Sequence, residues 1–188
     1  FKKKTIFKEK SREKPLKTHP KQKLKKAYRS YNIEDKIRFS KGFDRFWFTF
    51  VEPNIKLLEM GEFDKVLSFV EAGFEKFVSL EFEYLSEELI FNIYGDGEKF
   101  GGFWTKSIEI DLLFQSKNGL KIAGEAKWKN HKVCKNILTH LKKKCEKEKL
   151  DVDMFALFSK SGFSKELLGL RDKNLQLFEL EDFKTLYM

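Results

Sequence analysis

The sequence predicts an α/β fold, a mixed β-sheet with an antiparallel hairpin and a βαβ crossover, flanked by helices and preceded by a basic N-terminal extension. Three observations predict it. Residues 63–86 repeat apolar side chains at helical spacing, residues 107–128 form two alternating segments about Lys117-Asn118-Gly119, and residues 132–159 pass from a lysine-rich amphipathic stretch into a short apolar run. With 188 residues, 41% of them apolar and 21 of them Phe, the chain can fill a core.

Charge divides the chain. Residues 1–26 hold 12 Lys/Arg against Glu9 and Glu13 and so carry +10, whereas the remaining 162 residues, with 26 basic and 27 acidic side chains, sum to −1. So basic a segment either binds nucleic-acid phosphates by counterion release or is a solvated tail, and both readings stay open. Residues 1–35 form this basic segment, with Pro15, Pro20 and a short strand expected at 27–33. The chain opens on Phe1 rather than Met, so it is expected to be a piece of a longer protein with domains upstream, although a cleaved tag would look the same. No run of 18 apolar residues and no apolar signal-peptide core occur, which reads as a soluble cytoplasmic chain without a membrane partner.

Residues 36–62 are expected to pack an aromatic helix on the core. Phe43, Phe46, Trp47 and Phe50 follow helical spacing and predict a buried amphipathic helix ending before Pro53. A nucleic-acid stacking platform is the less ordinary use of such a stripe. The main domain is 63–188. Its first helix, 63–86, presents Leu67, Val70, Phe74, Phe77, Val78 and Leu85 on one face. Leu89–Tyr94 reads as a strand and the glycine-rich 95–102 as a flexible connector, since it lacks the Lys-Ser/Thr ending of a phosphate-binding loop.

Ser107 to Gln115 alternates, with Ile108, Ile110, Leu112 and Phe114 on one face and Glu109, Asp111 and Leu113 on the other. A three-residue loop at 117–119, with Gly119 in the left-handed position, returns the chain through Leu120–Trp128. A helix over 132–149 buries Cys134, Ile137, Leu138, Leu141 and Cys145 and turns lysines outward. Its two cysteines, 11 residues apart, are roughly 16 Å apart on a helix and cannot bond to each other. Met154–Ser159 and Leu175–Leu180 are strands, Ser164–Leu170 is a short helix, and Glu181–Tyr187 closes the chain as a helical turn or two.

In the register of a three-residue loop, opposite residues have numbers that sum to 236, which sets Asp111 across from Glu125. Two carboxylates facing each other destabilise a strand pair unless a cation lies between them, and hard Mg²⁺ or Mn²⁺ suits such oxygens. Period two puts Lys127 on the face of Glu125, about 7 Å along the strand. Two acids, a lysine and a divalent cation make up a set for phosphodiester hydrolysis. The plainer reading is a solvent-facing strand on which Lys127 pairs one acid. Glu75, or failing that Glu81, is the helix acid placed to add a ligand, and Lys132, Lys135, Lys142 and Lys143 are the candidates for holding nucleic-acid phosphates.

Ile110-Asp111, Gly124-Glu125-Ala126-Lys127-Trp128 and the preceding Phe74-Glu75 resemble the PD-(D/E)xK, restriction-endonuclease-like nuclease superfamily, with Ile110 where its first motif often has Pro. More narrowly, residues 46–53, Gly61-Glu62-Phe63, the Glu-Ala-Lys-Trp strand and 156–163 resemble the C-terminal nuclease-like domain of archaeal and bacterial AAA-type ATPases. The likeness covers roughly residues 27 to 183. It implies that an ATPase and a winged-helix module precede such a domain, so that residues 1–35 would be the remnant of a wing; no Walker motif is present. The expectation is therefore a Mg²⁺- or Mn²⁺-dependent nuclease acting on DNA, with Asp111 and Glu125 as ligands, Lys127 as the charge-neutralising group and Glu75 as an accessory acid. The alternative is a non-catalytic DNA-binding or assembly module that serves an ATPase domain or subunit.

Overall fold

A computed structural model of the chain describes residues 2–3, 37–39, 41–95, 97–105 and 108–187. Lys2–Lys3 (β1) pairs antiparallel with Ile37–Arg38 (β2). The strand expected at 27–33 and the rest of the proposed wing lie outside the described residues. Among the described residues no helix is long and apolar enough to cross a membrane.

The aromatic segment is helical from Gly42 to Glu59, in four short pieces: α1 (Gly42–Phe46), a π-turn (Trp47–Val51), a 3-10 turn (Glu52–Asn54) and α2 (Ile55–Glu59). Pro53 does not end the helix as expected. It sits in the first turn of the 3-10 piece, where a missing N–H forfeits no bond. Nor is the whole stripe buried, because Phe50 is covered while Phe43 and Trp47 are 69% and 38% exposed. Phe46 and Phe50 both pack on Phe77, with ring centroids 5.7 Å away. Arg45 fastens the segment from one side: its Nε donates to Glu81 Oε1 at 2.6 Å, a second guanidinium N–H donates to the Phe77 carbonyl, and the group lies 3.9 Å from the Phe77 ring centroid.

Phe77 and Glu81 belong to α3, which runs unbroken from Phe63 to Tyr94. The strand expected at 89–94 is part of this helix. Phe82, Ser86, Leu89 and Ile90 continue one buried stripe at i, i+4, i+7 and i+8, and that period outweighs the local β-propensity. The first half of α3 packs chiefly on the 42–59 segment, so Leu67 and Phe74, expected on the buried face, are 53% and 47% exposed.

The missing strand comes from the glycine-rich stretch instead, as β3 (Gly97–Trp104). Then follow β4 (Glu109–Ser116), β5 (Lys121–Lys127), α4 (Lys135–Lys147), β6 (Met154–Ser159), α5 (Lys165–Leu168), β7 (Leu175–Glu179) and a final 3-10 segment (Leu180–Tyr187). The five strands lie in the order β3-β4-β5-β6-β7, antiparallel across β3-β4-β5 and parallel across β5-β6-β7. This mixed sheet is covered on both faces. Phe82, Leu89 and Ile90 of α3 pack with Phe114, Ile122, Phe158 and the C-terminal Phe183 on one side. Leu138, Leu141 and Cys145 of α4 pack with Ile110, Leu113, Ala123 and Leu157 on the other.

The expected hairpin register holds for four pairs, from Gln115↔Lys121 to Leu112↔Gly124, around a loop in which Gly119 has φ +88°. The alternation expected along β4 does not hold. Between Gly101↔Leu113 and Phe103↔Ile110, Asp111 and Leu112 oppose Gly102 alone, which is a β-bulge. Across it the faces exchange, so that Ile108 and Ile110 pack on the α4 side while Leu112 and Phe114 pack on the α3 side.

A Cβ added at Gly73 would lie 2.7 Å from the buried Phe50 ring. Gly73→Ala gains about 1 kcal/mol of helix propensity but overpacks this contact, which costs about 1–3 kcal/mol. The expected outcome is net destabilisation, read as a lower thermal midpoint; a higher midpoint would mean that Phe50 is free to move aside.

Candidate active site

The bulge falls at Asp111 near the start of β4, and the β4–β5 ladder stops one pair short of Glu125. In place of a further ladder bond, the Asp111 side chain bridges to β5, where its Oδ2 accepts from the Ala126 N–H at 2.9 Å. Glu125 and Lys127 emerge two residues apart at the C-terminal end of β5, and Glu125 is 8% exposed. Lys127 Nζ lies 2.8 Å from Glu125 Oε1 and 3.8 Å from Asp111 Oδ2. The three side chains singled out in the sequence thus meet at one end of the sheet, with a single ammonium beside both acids. Helix α4 covers part of the face they share, leaving the Asp111 and Lys127 side chains 15% and 22% exposed.

A fourth group completes the cluster. Lys144, on the inward side of α4, donates to Glu125 Oε2 at 2.7 Å and to Oε1 at 3.0 Å. It was assigned no role from the sequence, yet a signal was there: Lys144 is seven residues after Ile137 and three after Leu141, so it falls on the buried stripe of the helix rather than on its lysine face. Cys145 beside it is buried and its thiol is pushed up to about 11, chiefly by burial, so it remains protonated. Cys134, expected to be buried, is exposed at the helix start, which begins at Lys135 rather than Lys132.

Electrostatics separates the two acids from their lysine. Burial, reinforced by the Glu125 charge, pushes Asp111 up to about 6 against the pull of Lys127, the Ala126 N–H and Lys144. Burial also works against the Lys127 charge, but Asp111, Glu125 and, more weakly, Glu83 outweigh it and hold Lys127 above its ordinary value. Glu83 is therefore the α3 acid whose field reaches the cluster. Glu75 is an exposed side chain 3.8 Å from Lys160, and Glu81 is engaged by Arg45. Lys160 in turn lies 4.6 Å from the Trp128 ring centroid and donates to Asn130.

The phosphate-binding candidates on and before α4, Lys132, Lys135, Lys142 and Lys143, are exposed. Lys135 pairs with Glu166 at 3.0 Å, and Lys142 lies 5.3 Å from the centroid of the Phe155 ring. Among the described residues no three His, Cys, Asp or Glu side chains converge as a metal cluster. The protein's share of any cation site at this end of the sheet is therefore the pair Asp111 and Glu125. Both offer hard oxygens, and Oδ1 of Asp111 takes no hydrogen bond among the described residues. Such a donor set fits Mg²⁺ or Mn²⁺, which retain water and substrate oxygens as further ligands.

Residues 47–147 match the profile of a family described as archaeal and bacterial proteins of unknown function, DUF234. The matched span contains Asp111, Glu125, Lys127 and Lys144. An uncharacterised protein of Methanocaldococcus jannaschii is 28% identical over 169 residues, covering 80% of this chain. The chain spans 37% of that relative's length. No solved structure matches.

Between about pH 4 and pH 6 the folded protein keeps Asp111 protonated where the unfolded chain has ionised it. The folded state then binds more protons, so the contribution of Asp111 to stability falls as pH rises through that window. Asp111→Asn removes the dependence. Its thermal midpoint relative to the parent should climb by several degrees from pH 4 to pH 7, and a pH-independent difference would show that Asp111 titrates normally.

Proposed function

This chain belongs to the DUF234 family, and from the cluster within the matched span we propose that it is a divalent-metal-dependent nuclease domain that hydrolyses DNA phosphodiester bonds. The observation that carries the reading is the convergence of Asp111 and Glu125 on the Lys127 ammonium at the end of two adjacent strands. It supports the likeness to PD-(D/E)xK nucleases seen in the sequence. Asp111 and Glu125 would hold Mg²⁺ or Mn²⁺. The chemistry that such a cation supplies is polarisation of the scissile phosphate and acidification of an attacking water. Lys127, kept protonated by its two acids, donates rather than accepts a proton, orienting that water or neutralising charge as it develops on the phosphate. The exposed Lys132, Lys135, Lys142 and Lys143 supply positive charge for the DNA backbone without reading its sequence.

A second reading, a non-catalytic DNA-binding or assembly module serving an ATPase domain or subunit, is favoured by one observation. Lys127 and Lys144 already neutralise Glu125.

Cleavage of supercoiled plasmid and linear duplex with Mg²⁺, Mn²⁺ or EDTA separates the two. The parent should cut only with the metal. Lys127→Gln, checked for folding by circular dichroism because it disturbs a half-buried ion pair, should lose on the order of 100-fold or more in rate. Metal-independent cutting, or undiminished cutting by a folded variant, would place the chemistry elsewhere; DNA binding without cutting would favour the second reading.

A further inference from the structure

We infer that Lys144 is a built-in counterion of this site, occupying the Glu125 carboxylate until a divalent cation displaces it. The inference rests on the metal-dependent reading proposed above and adds a positioning residue to it. Lys144 reaches both Glu125 oxygens, at 2.7 and 3.0 Å, whereas Lys127 reaches Oε1 alone, at 2.8 Å. Oε2 is therefore held by Lys144, and every oxygen that Glu125 can offer a cation already accepts from an ammonium.

The placement on the helix agrees. Lys142, Lys143 and Lys147 are exposed, while Lys144 lies between buried Leu141 and buried Cys145 with its side chain 26% exposed. A lysine turned inward on an amphipathic helix gives up hydration, and here the Glu125 carboxylate compensates for that loss. One ammonium against both oxygens also keeps Glu125 aimed at the sheet end before any metal arrives. A divalent cation must approach the same two oxygens against the charge of that ammonium, so Lys144 sets a threshold for occupancy of the site.

Calorimetric titration of the full chain with Mn²⁺ tests this without reference to cleavage. Lys144→Gln should bind Mn²⁺ about tenfold more tightly than the parent, since a competing positive charge is gone from within a few ångströms. Lys144→Arg, whose fork can grip both carboxylate oxygens, should bind more weakly than the parent. Lys147→Gln, one turn along and exposed, should change little. Equal or weaker binding by a folded Lys144→Gln protein, or a gain matched by Lys147→Gln, overturns the inference and leaves the metal reading standing. If Lys144→Gln fails to fold, the Arg variant decides, with equal or tighter binding against the inference. Absence of Mn²⁺ binding to the parent and every variant overturns the metal-dependent reading and the inference with it.

Discussion

Asp111 and Glu125 carry like charge at the ends of adjacent strands, and the Lys127 ammonium held against both makes that arrangement tolerable. The rest of the sheet end follows from this balance. The β-bulge turns Asp111 toward β5, the Ala126 N–H secures it there, and Lys144 comes in from α4 to cover the other side of Glu125. Each contact partly offsets the desolvation of a charge. None of them cancels the penalty at Asp111, whose carboxyl is still pushed up to about 6. That residual pressure on Asp111, together with an Oδ1 that takes no hydrogen bond among the described residues, is the feature on which the proposed cation site rests.

Much of this could be read from the sequence. The hairpin register was legible because an Asn-Gly pair in a three-residue loop fixes the turn, and one fixed turn fixes every pair beyond it. That arithmetic put Asp111 close to Glu125, although the ladder stops one pair short of them, and the period of two set Lys127 on the same face. The bulge was not legible, since it arises in the pairing of β4 with β3, and β3 is a glycine-rich strand whose pattern carries almost no periodic signal. Leu89 and Ile90 misled for a related reason: a pair of adjacent apolar residues fits a buried strand as well as the last turns of a helix. Only the spacing back to Phe82 and Ser86 separates the two.

The side-chain partners were hardest to anticipate. Glu81 lies on the α3 face that meets the 42–59 segment, where Arg45, 36 residues earlier, engages it. Lys144 was hidden among its neighbours, because in a run of three lysines only the position relative to Ile137 and Leu141 marks the one that turns inward. The family profile covers Asp111, Glu125, Lys127 and Lys144 but carries no function with it. The chemistry therefore rests on the side chains themselves, and the expected ATPase connection rests on the sequence likeness.

Anomalous scattering from a crystal of the protein soaked in Mn²⁺ decides whether Asp111 and Glu125 hold a cation between them. A single strong peak is expected between Asp111 and Glu125, with Lys144 withdrawn from at least one Glu125 oxygen. A saturating soak with no peak there and both lysines still on Glu125 would contradict it.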